Sequence, residues 1–305
     1  MEMKCLFLYN PVSGRGKITG KLDYIVHTLQ KKYDYVDSYA TKGPGDMARA
    51  AAEAAEKYDA LVFSGGDGSF NEIVRGIAGA ENPPELGYIP CGTVNDVAHT
   101  LGIPKRIKGA LKVILTGDNA LLDCMKVGER YAMYIVAAGA FTSATYTTPQ
   151  ASKQRVGRIA YGVEGLRKNM KFDVFDVCLD NGSRRERTDC VFVALLNGRY
   201  VAGMRLNKDG SMADGKIEAA VIRQCKKPNI FQRIRAFFAL ANLFLFGYKV
   251  REKQIVRMEG SRFEIEADPS VCWNFDGEKG ICGNIVVEVL PKRINMLVPK
   301  GSKNL

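Results

Sequence analysis

The chain predicts an α/β fold in two parts, a doubly wound domain followed by a mainly β domain, and two observations carry the prediction. Over the first 120 of its 305 residues, short apolar runs alternate with segments of helical spacing, the pattern of strands and crossover helices in a mostly parallel sheet. Beyond Asp118 strand-like segments dominate instead. Composition agrees: 46% apolar and 25% charged residues are an ordinary globular balance, and the length suits two domains of ~150 residues. The first domain is expected over 1–126, with the tail 293–305 free to rejoin it, and the second over 127–292.

Within the first part, strands are expected at 5–9, 35–40, 60–64 and 86–90. Helical spacing marks 18–29 and 46–57, the latter Ala-rich and opened by Asp46 as an N-cap candidate. In the second part, strands are expected at 133–138, 172–179, 190–196, 217–222, 263–267 and 285–290. Asn181-Gly182 between two of them is a hairpin signal, because both residues tolerate positive φ. Two helical segments interrupt the strands, at 156–168 and 230–246.

Forty-four Lys and Arg against thirty-three Asp and Glu leave a formal charge of +11. This favours anionic partners: nucleic acid, a phosphate-rich cofactor or an acidic membrane surface. Aromatic residues do not interleave with basic ones as on a base-stacking platform, which argues against nucleic acid. The eight cysteines contain no CxxC pair and several sit in apolar runs, so they read as reduced thiols in a reducing cytosol. No secretory leader is expected from the amino terminus. The longest apolar stretch, 236–246, has eleven residues against the ~20 of a membrane span.

Three loops carry candidate chemistry. Gly65-Gly66-Asp67-Gly68-Ser69 leaves an apolar strand and enters a helical pattern at Phe70-Asn71; glycines there let backbone amides approach phosphates. Asp67 in the same loop would repel phosphate unless a divalent cation or a hydrogen-bond donor intervenes, which points to a metal–nucleotide complex. Asn10-Pro11-Val12-Ser13-Gly14-Arg15-Gly16-Lys17 is a second strand-end loop with two cations, and it lacks Walker A spacing. Pro90-Cys91-Gly92-Thr93-Val94-Asn95-Asp96 is the third, and Thr41 ends the remaining strand. Asn95 or Asp96 as a plain helix cap is the competing reading.

In the second part, Asp276-Gly277-Glu278 follows the sole tryptophan, Trp273. Either carboxylate suits a general base for an alcohol in phosphoryl transfer, and an ordinary Asp-Gly turn is the alternative. Asp214-Gly215, flanked by Ser211 and Lys216, is a turn or a cation site completed by backbone carbonyls. His27 and His99 show no metal spacing, and no serine elbow, zinc cluster or dinucleotide fingerprint is present.

Taken in order, Asn10-Pro11 with Ser13-Gly14, Gly65-Gly66-Asp67-Gly68, Pro90 with Gly92-Thr93 and Asn95-Asp96, and Asp276-Gly277-Glu278 resemble the diacylglycerol kinase catalytic family, particularly the soluble bacterial lipid kinases related to sphingosine kinases. The resemblance implies an ATP-binding domain like those of NAD kinases and phosphofructokinases, a β-sandwich, and a lipid entering between them. It implies ATP at Asn10 to Gly14, Thr41, Gly65 to Asn71 and Thr93. Asp67 and Asp96 would lie near Mg2+ or substrate, and Asp276, with Glu278 as rival, would be the base. A second Mg2+ would fall to Asp214 with carbonyls of Ser211 and Lys216. Ser69 stands where the family usually has threonine, the glycines around 198–203 are thinned, and Ala213 replaces a carboxylate of some relatives.

The expected activity is therefore phosphorylation of a lipid such as diacylglycerol by a cytoplasmic protein that visits an anionic membrane surface, with homodimerisation left open. Phosphorylation of a soluble acceptor such as NAD, and a non-catalytic nucleotide sensor, are the rivals.

Overall fold

The computed structural model describes residues 2–140 and 172–302; the helix expected at 156–168 lies outside them. The chain divides into two compact units. The first comprises Met1–Cys124, Ser211–Gly215 and Leu290–Leu305, the second Met125–Gly210 and Lys216–Val289.

In the first unit, strands β1 (Lys4–Tyr9), β2 (Tyr35–Ala40), β3 (Ala60–Gly65) and β4 (Glu85–Pro90) pair in parallel in the order β2-β1-β3-β4. Met296 of the last strand, β17 (Ile285–Val298), pairs with Leu86 beyond β4. All six residues of β3 are buried, as a strand covered on both faces requires, and this is why it reads as a continuous apolar run. By contrast β2 is largely exposed, being the edge.

Helices α1 (Leu22–Leu29), α2 (Asp46–Ala55), α3 (Asp67–Ile77), α4 (Asp96–Leu101) and α5 (Ile107–Thr116) fill the connections. Right-handed crossovers from this strand order place α1 on one face and α2 with α3 on the other; α1 packs with α5 and α2 with α3 accordingly. The sheet is thus doubly wound, and its order reverses between β1 and β3. The helix expected from residue 18 begins only at Leu22, after a 3-10 turn at Thr19–Lys21 containing Gly20. Asp46 is the first residue inside α2 rather than its cap, which is Gly45; its carboxylate takes the Lys42 N–H (2.8 Å) and pairs with Arg49 (2.6 Å).

Strand β5 (Asp118–Val127) leads from the first unit into the second. There β6 (Arg130–Ala132), β7 (Ile135–Gly139), β8 (Phe175–Asp180), β9 (Arg185–Leu196), β10 (Tyr200–Val201), β11 (Met204–Arg205), β12 (Ile217–Arg223), β13 (Ile255–Gly260), β14 (Arg262–Ala267), β15 (Cys272–Phe275) and β16 (Glu278–Cys282) pair antiparallel. They enclose an apolar core of Val193, Leu195, Phe263, Val287 and the fully buried Trp273, whose indole N–H donates to the Gly283 carbonyl (2.8 Å). Helix α6 (Ile230–Phe246) opens with a capping box between Asn229 and Gln232.

One expectation is corrected here. Cys272 and Cys282 are not thiols: the β15–β16 register sets them opposite each other, Cα to Cα 3.9 Å, and they form a disulfide. The other six cysteines are in no disulfide.

Candidate active site

Because β1 to β4 run in parallel, their carboxyl ends share one edge. Tyr9 lies opposite Ala40 on one side and Ser64 on the other, and Gly65 lies opposite Pro90. In an open α/β sheet the crevice outside these ends, where the strand order reverses, is the ligand position. Here that point lies between β1 and β3, flanked by the Asn10 and Gly65 loops. Thr41, at the end of β2, donates its N–H to the Tyr9 carbonyl (2.9 Å). The loops that follow Tyr9, Ala40, Gly65 and Pro90 thus open on one rim.

Within the Asn10 loop, the Asn10 side-chain oxygen accepts the Val12 N–H (3.0 Å) and the Asn10 carbonyl accepts that of Ser13 (3.1 Å). A 3-10 turn follows at Ser13–Gly16, next to β3. Burial raises the Cys91 thiol to about 11, and the Lys17 charge, close enough to act on it, pulls the other way.

The second and third loops touch through glycine. A Cβ on Gly92 would fall 2.5 Å from the Gly66 Cα and 2.6 Å from the Asn95 side-chain oxygen, so no larger residue fits the crossing. The Gly65 carbonyl accepts the N–H of Cys91 (2.8 Å) and the Tyr88 hydroxyl (3.2 Å). Complete burial holds that hydroxyl well above its ordinary pKa, keeping it a donor. Buried Asn95 takes the left-handed conformation at φ 60° and returns its side-chain amide to the Gly92 carbonyl (2.9 Å).

Asp67 joins the loops. It opens α3, and one of its oxygens accepts the Asn95 N–H (2.8 Å) at the start of α4. Its other oxygen is buried with no hydrogen-bond partner. Desolvation raises the Asp67 pKa, against the lowering pull of the N–H groups of Asn95, Asp96 and Val97. A half-buried carboxylate with one buried, unpartnered oxygen on a phosphate-type rim is what a cation-bearing polyphosphate would complete. Gly68 and Thr93 are exposed and Ser69 is half-buried against Gly65, whereas Asn71 and Asp96 are buried. Phe70 turns away from the rim: its ring meets those of Phe63 and Tyr88 in the core, and its N–H closes on the Gly66 carbonyl.

Asp276 and Glu278 lie in the second unit. Asp276-Gly277 is the two-residue turn between β15 and β16, with Phe275 opposite Glu278 and φ positive at both turn residues (50° and 95°), the signature of a primed hairpin turn. The buried Asp276 carboxylate accepts the N–H groups of Met133 (2.5 Å), Tyr134 (3.0 Å) and Ile135 (2.9 Å), and the Tyr134 hydroxyl donates to its carbonyl (3.0 Å). Both oxygens are thereby engaged in holding the turn. Glu278, two residues on, is exposed.

Of the expected cation set, Ser211 and Asp214 belong to the first unit and Lys216 to the second. The Ser211 hydroxyl accepts the Ala213 N–H (3.1 Å), and the Lys216 ammonium pairs with Glu259 (2.6 Å). Among the described residues no group of three or more His, Cys, Asp or Glu side chains is placed to hold a metal. Sequence reasoning missed Asp123. This fully buried residue of β5 accepts the N–H groups of Gly215 (2.7 Å) and Lys292 (2.7 Å), tying the 211–215 loop and β17 to β5. The signal was an acid inside the apolar run Leu121-Leu122-Asp123-Cys124-Met125.

The fold is that of a doubly wound α/β protein extended by an antiparallel β unit, with glycine loops at the strand ends where such folds take their ligands. The comparisons agree. Residues 4–127 match the family model for the diacylglycerol kinase catalytic domain, and residues 134–298 that for the YegS C-terminal NAD kinase beta sandwich-like domain. The chain is 30% identical over 298 residues to a diacylglycerol kinase of Bacillus subtilis (strain 168), covering 96% of this chain and 95% of the relative. It is also 30% identical over 282 residues to a diacylglycerol kinase of Staphylococcus aureus (strain MRSA252), covering 92% and 87%. The crystal structure of a diacylglycerol kinase from Bacillus anthracis str. Sterne superposes with a TM-score of 0.76 at 23% identity, covering 97% of this chain and 96% of that one; at that identity the likeness speaks for the fold. The chain belongs to the diacylglycerol kinase family, and at that level it is a kinase with the two-part fold its sequence predicts.

Proposed function

We propose that the protein is an ATP-dependent lipid kinase that transfers the γ-phosphoryl group to a lipid hydroxyl, with diacylglycerol as acceptor and a phosphatidate as product. The observation that carries this reading is the single rim formed by Asn10, Thr41, Gly66, Asp67 and Gly92 at the switch point. The names of its relatives supply the acceptor. The N–H groups of the Asn10–Gly14, Gly65–Ser69 and Gly92–Thr93 segments bind the phosphates, Lys17 balances their charge, and Asn71, Asn95 and Asp96 hold these loops in place. Asp67, whose second oxygen has no hydrogen-bond partner, would hold the Mg2+ that accompanies the nucleotide, and that ion would neutralise charge on the phosphates. The 211–216 loop offers one carboxylate, Asp214, so a second cation there would rest on carbonyls of Ser211 and Lys216; no step is assigned to it.

Of the two expected bases, Asp276 and its rival Glu278, we propose Glu278. An oxygen already accepting backbone N–H groups is a poor acceptor for a further proton, whereas Glu278 is exposed on the turn that Asp276 braces. Glu278 takes the proton of the lipid hydroxyl as that oxygen attacks the γ-phosphorus, whose bond to the β,γ-bridging oxygen breaks so that ADP leaves. The acceptor is drawn from an anionic membrane surface by a protein working in the cytoplasm.

The test is transfer of radiolabel from ATP in the presence of Mg2+ to diacylglycerol in detergent micelles, with a sphingoid base and NAD in parallel. Label in phosphatidate is expected. Label in NAD would establish the soluble-acceptor rival, and tight nucleotide binding with no transfer to any acceptor would leave a sensor.

A further inference from the structure

Helix α6 is apolar on two opposite faces. Ala236, Ala239, Leu240 and Leu243 are buried against the second unit, the i, i+3, i+4, i+7 stripe of a packed helix. About 150° round the axis, Phe231, Phe238 and Leu245 point outward, 74%, 56% and 61% exposed. Ile230 and Phe246, at the two helix ends, flank this strip on either side and are 54% and 58% exposed. A water-facing helix normally carries charge there; one that is apolar all round lies in a core or against lipid. At 17 residues α6 is below the ~20 needed to cross a bilayer, and no described helix is long and apolar enough to do so.

The charge around it selects the surface. From Arg223 to Arg251 the chain has seven Lys or Arg residues and no Asp or Glu. Lys226 and Lys227 precede the helix, Arg233 and Arg235 lie on its first turns, and Lys249 and Arg251 follow it. Some of this charge is answered locally: Arg223 by Glu186, Lys226 by Asp189 (3.7 Å) and Lys249 by Asp209 (3.0 Å). Lys227, Arg233 and Arg251 have no ion-pair partner among the described residues. Beside the first turn a cavity of about 360 Å3 is lined by Arg223, Arg235, Gln224, Gln232 and Gln254, with Asp189, a donor-rich recess at the border of the apolar strip.

We propose that the outward face of α6 is an interfacial docking element that lies in the surface of an anionic bilayer, Phe231, Phe238 and Leu245 entering the acyl boundary and the flanking cations meeting phospholipid headgroups. This deepens the lipid-kinase reading and rests on it for the choice of a bilayer among anionic surfaces; the helix itself supplies the geometry.

Flotation of the full-length protein with vesicles of phosphatidylcholine, alone or with 30% phosphatidylglycerol, tests it without nucleotide. The protein should float with the anionic vesicles, less so as salt rises and weakly with phosphatidylcholine alone. The triple variant Phe231→Ser/Phe238→Ser/Leu245→Ser, altered only at exposed positions, should lose at least tenfold in vesicle binding. It should keep its thermal midpoint and its rate on diacylglycerol dispersed in detergent, and lose rate on diacylglycerol presented in vesicles. Equal flotation of the variant, or no flotation of the parent protein, overturns the docking face. So does a self-association of the parent that the variant abolishes without any vesicle binding, because the face would then be a protein interface. Flotation without lipid phosphorylation in detergent would instead sink the kinase reading and leave the docking face standing.

Discussion

The two acidic turns of this protein look alike in sequence and are built oppositely. Asp67 sits among glycines on the first unit's rim, gives one oxygen to the start of α4 and keeps the other buried without a partner. Asp276 sits beside a glycine at a hairpin tip in the second unit and has both oxygens engaged by backbone N–H groups. An incompletely satisfied carboxylate has capacity left for a ligand, and a fully satisfied one is architecture. On the proposed reading, this contrast makes Asp67 the ligand site and Asp276 the brace of its turn.

The largest effect that tests this contrast is on turnover. Glu278→Gln should cut lipid phosphorylation by a factor on the order of 10²–10⁴ with nucleotide affinity nearly unchanged. Asp276→Ala should instead show first in stability, about 3 kcal/mol in denaturant unfolding, because three buried N–H groups lose their acceptor. Full stability with lost turnover in Asp276→Ala would reverse the assignment.

Reduction of the Cys272–Cys282 disulfide comes next. It closes a short loop around the Glu278 turn, and its loss should cost about 2–3 kcal/mol and lower lipid turnover. Binding of a fluorescent ATP analogue, a property of the first unit, should not change. On the rim side, Gly92→Ala should cost about 1–3 kcal/mol through overpacking against Gly66 and weaken that same nucleotide binding while sparing the second unit; titration of the analogue decides it.

The smallest effect is in pH dependence. Folding raises the Asp67 pKa from 3.8 through desolvation, so above pH 3.8 the folded state holds a proton that the unfolded chain has released. The contribution of Asp67 to stability therefore declines as pH climbs from 3.8 through the folded value, and is flat beyond. Unfolding curves of Asp67→Asn and the parent should converge at low pH and separate, the variant being relatively more stable, as pH increases. Parallel curves would show that Asp67 is satisfied after all.

The parts legible in the sequence were those whose causes are local. Strands β1, β3 and β4 read as apolar runs because both faces are covered, and their glycine exits mark the rim directly. Strand β5 was not legible, since Asp123 interrupts its alternation for a reason that lies at Gly215 and Lys292. Nor was the full length of β17, which was expected to stop at 290 and continues to Val298 through Pro291 and the left-handed Lys292. The role of Asp276 depends on Met133 to Ile135, more than 140 residues away, and the disulfide on a hairpin register. Neither leaves a trace in spacing.

Strand β17 also bears on how the protein can be dissected. The first unit takes its last strand from the carboxyl-terminal end of the chain, so a fragment cut near residue 127 would carry every rim loop yet lack Leu290–Val298. Its β4 would be left as a raw sheet margin, open to pairing with any extended neighbour. Such a piece should precipitate rather than bind nucleotide, and co-expressing or grafting the missing strand is the way to recover it.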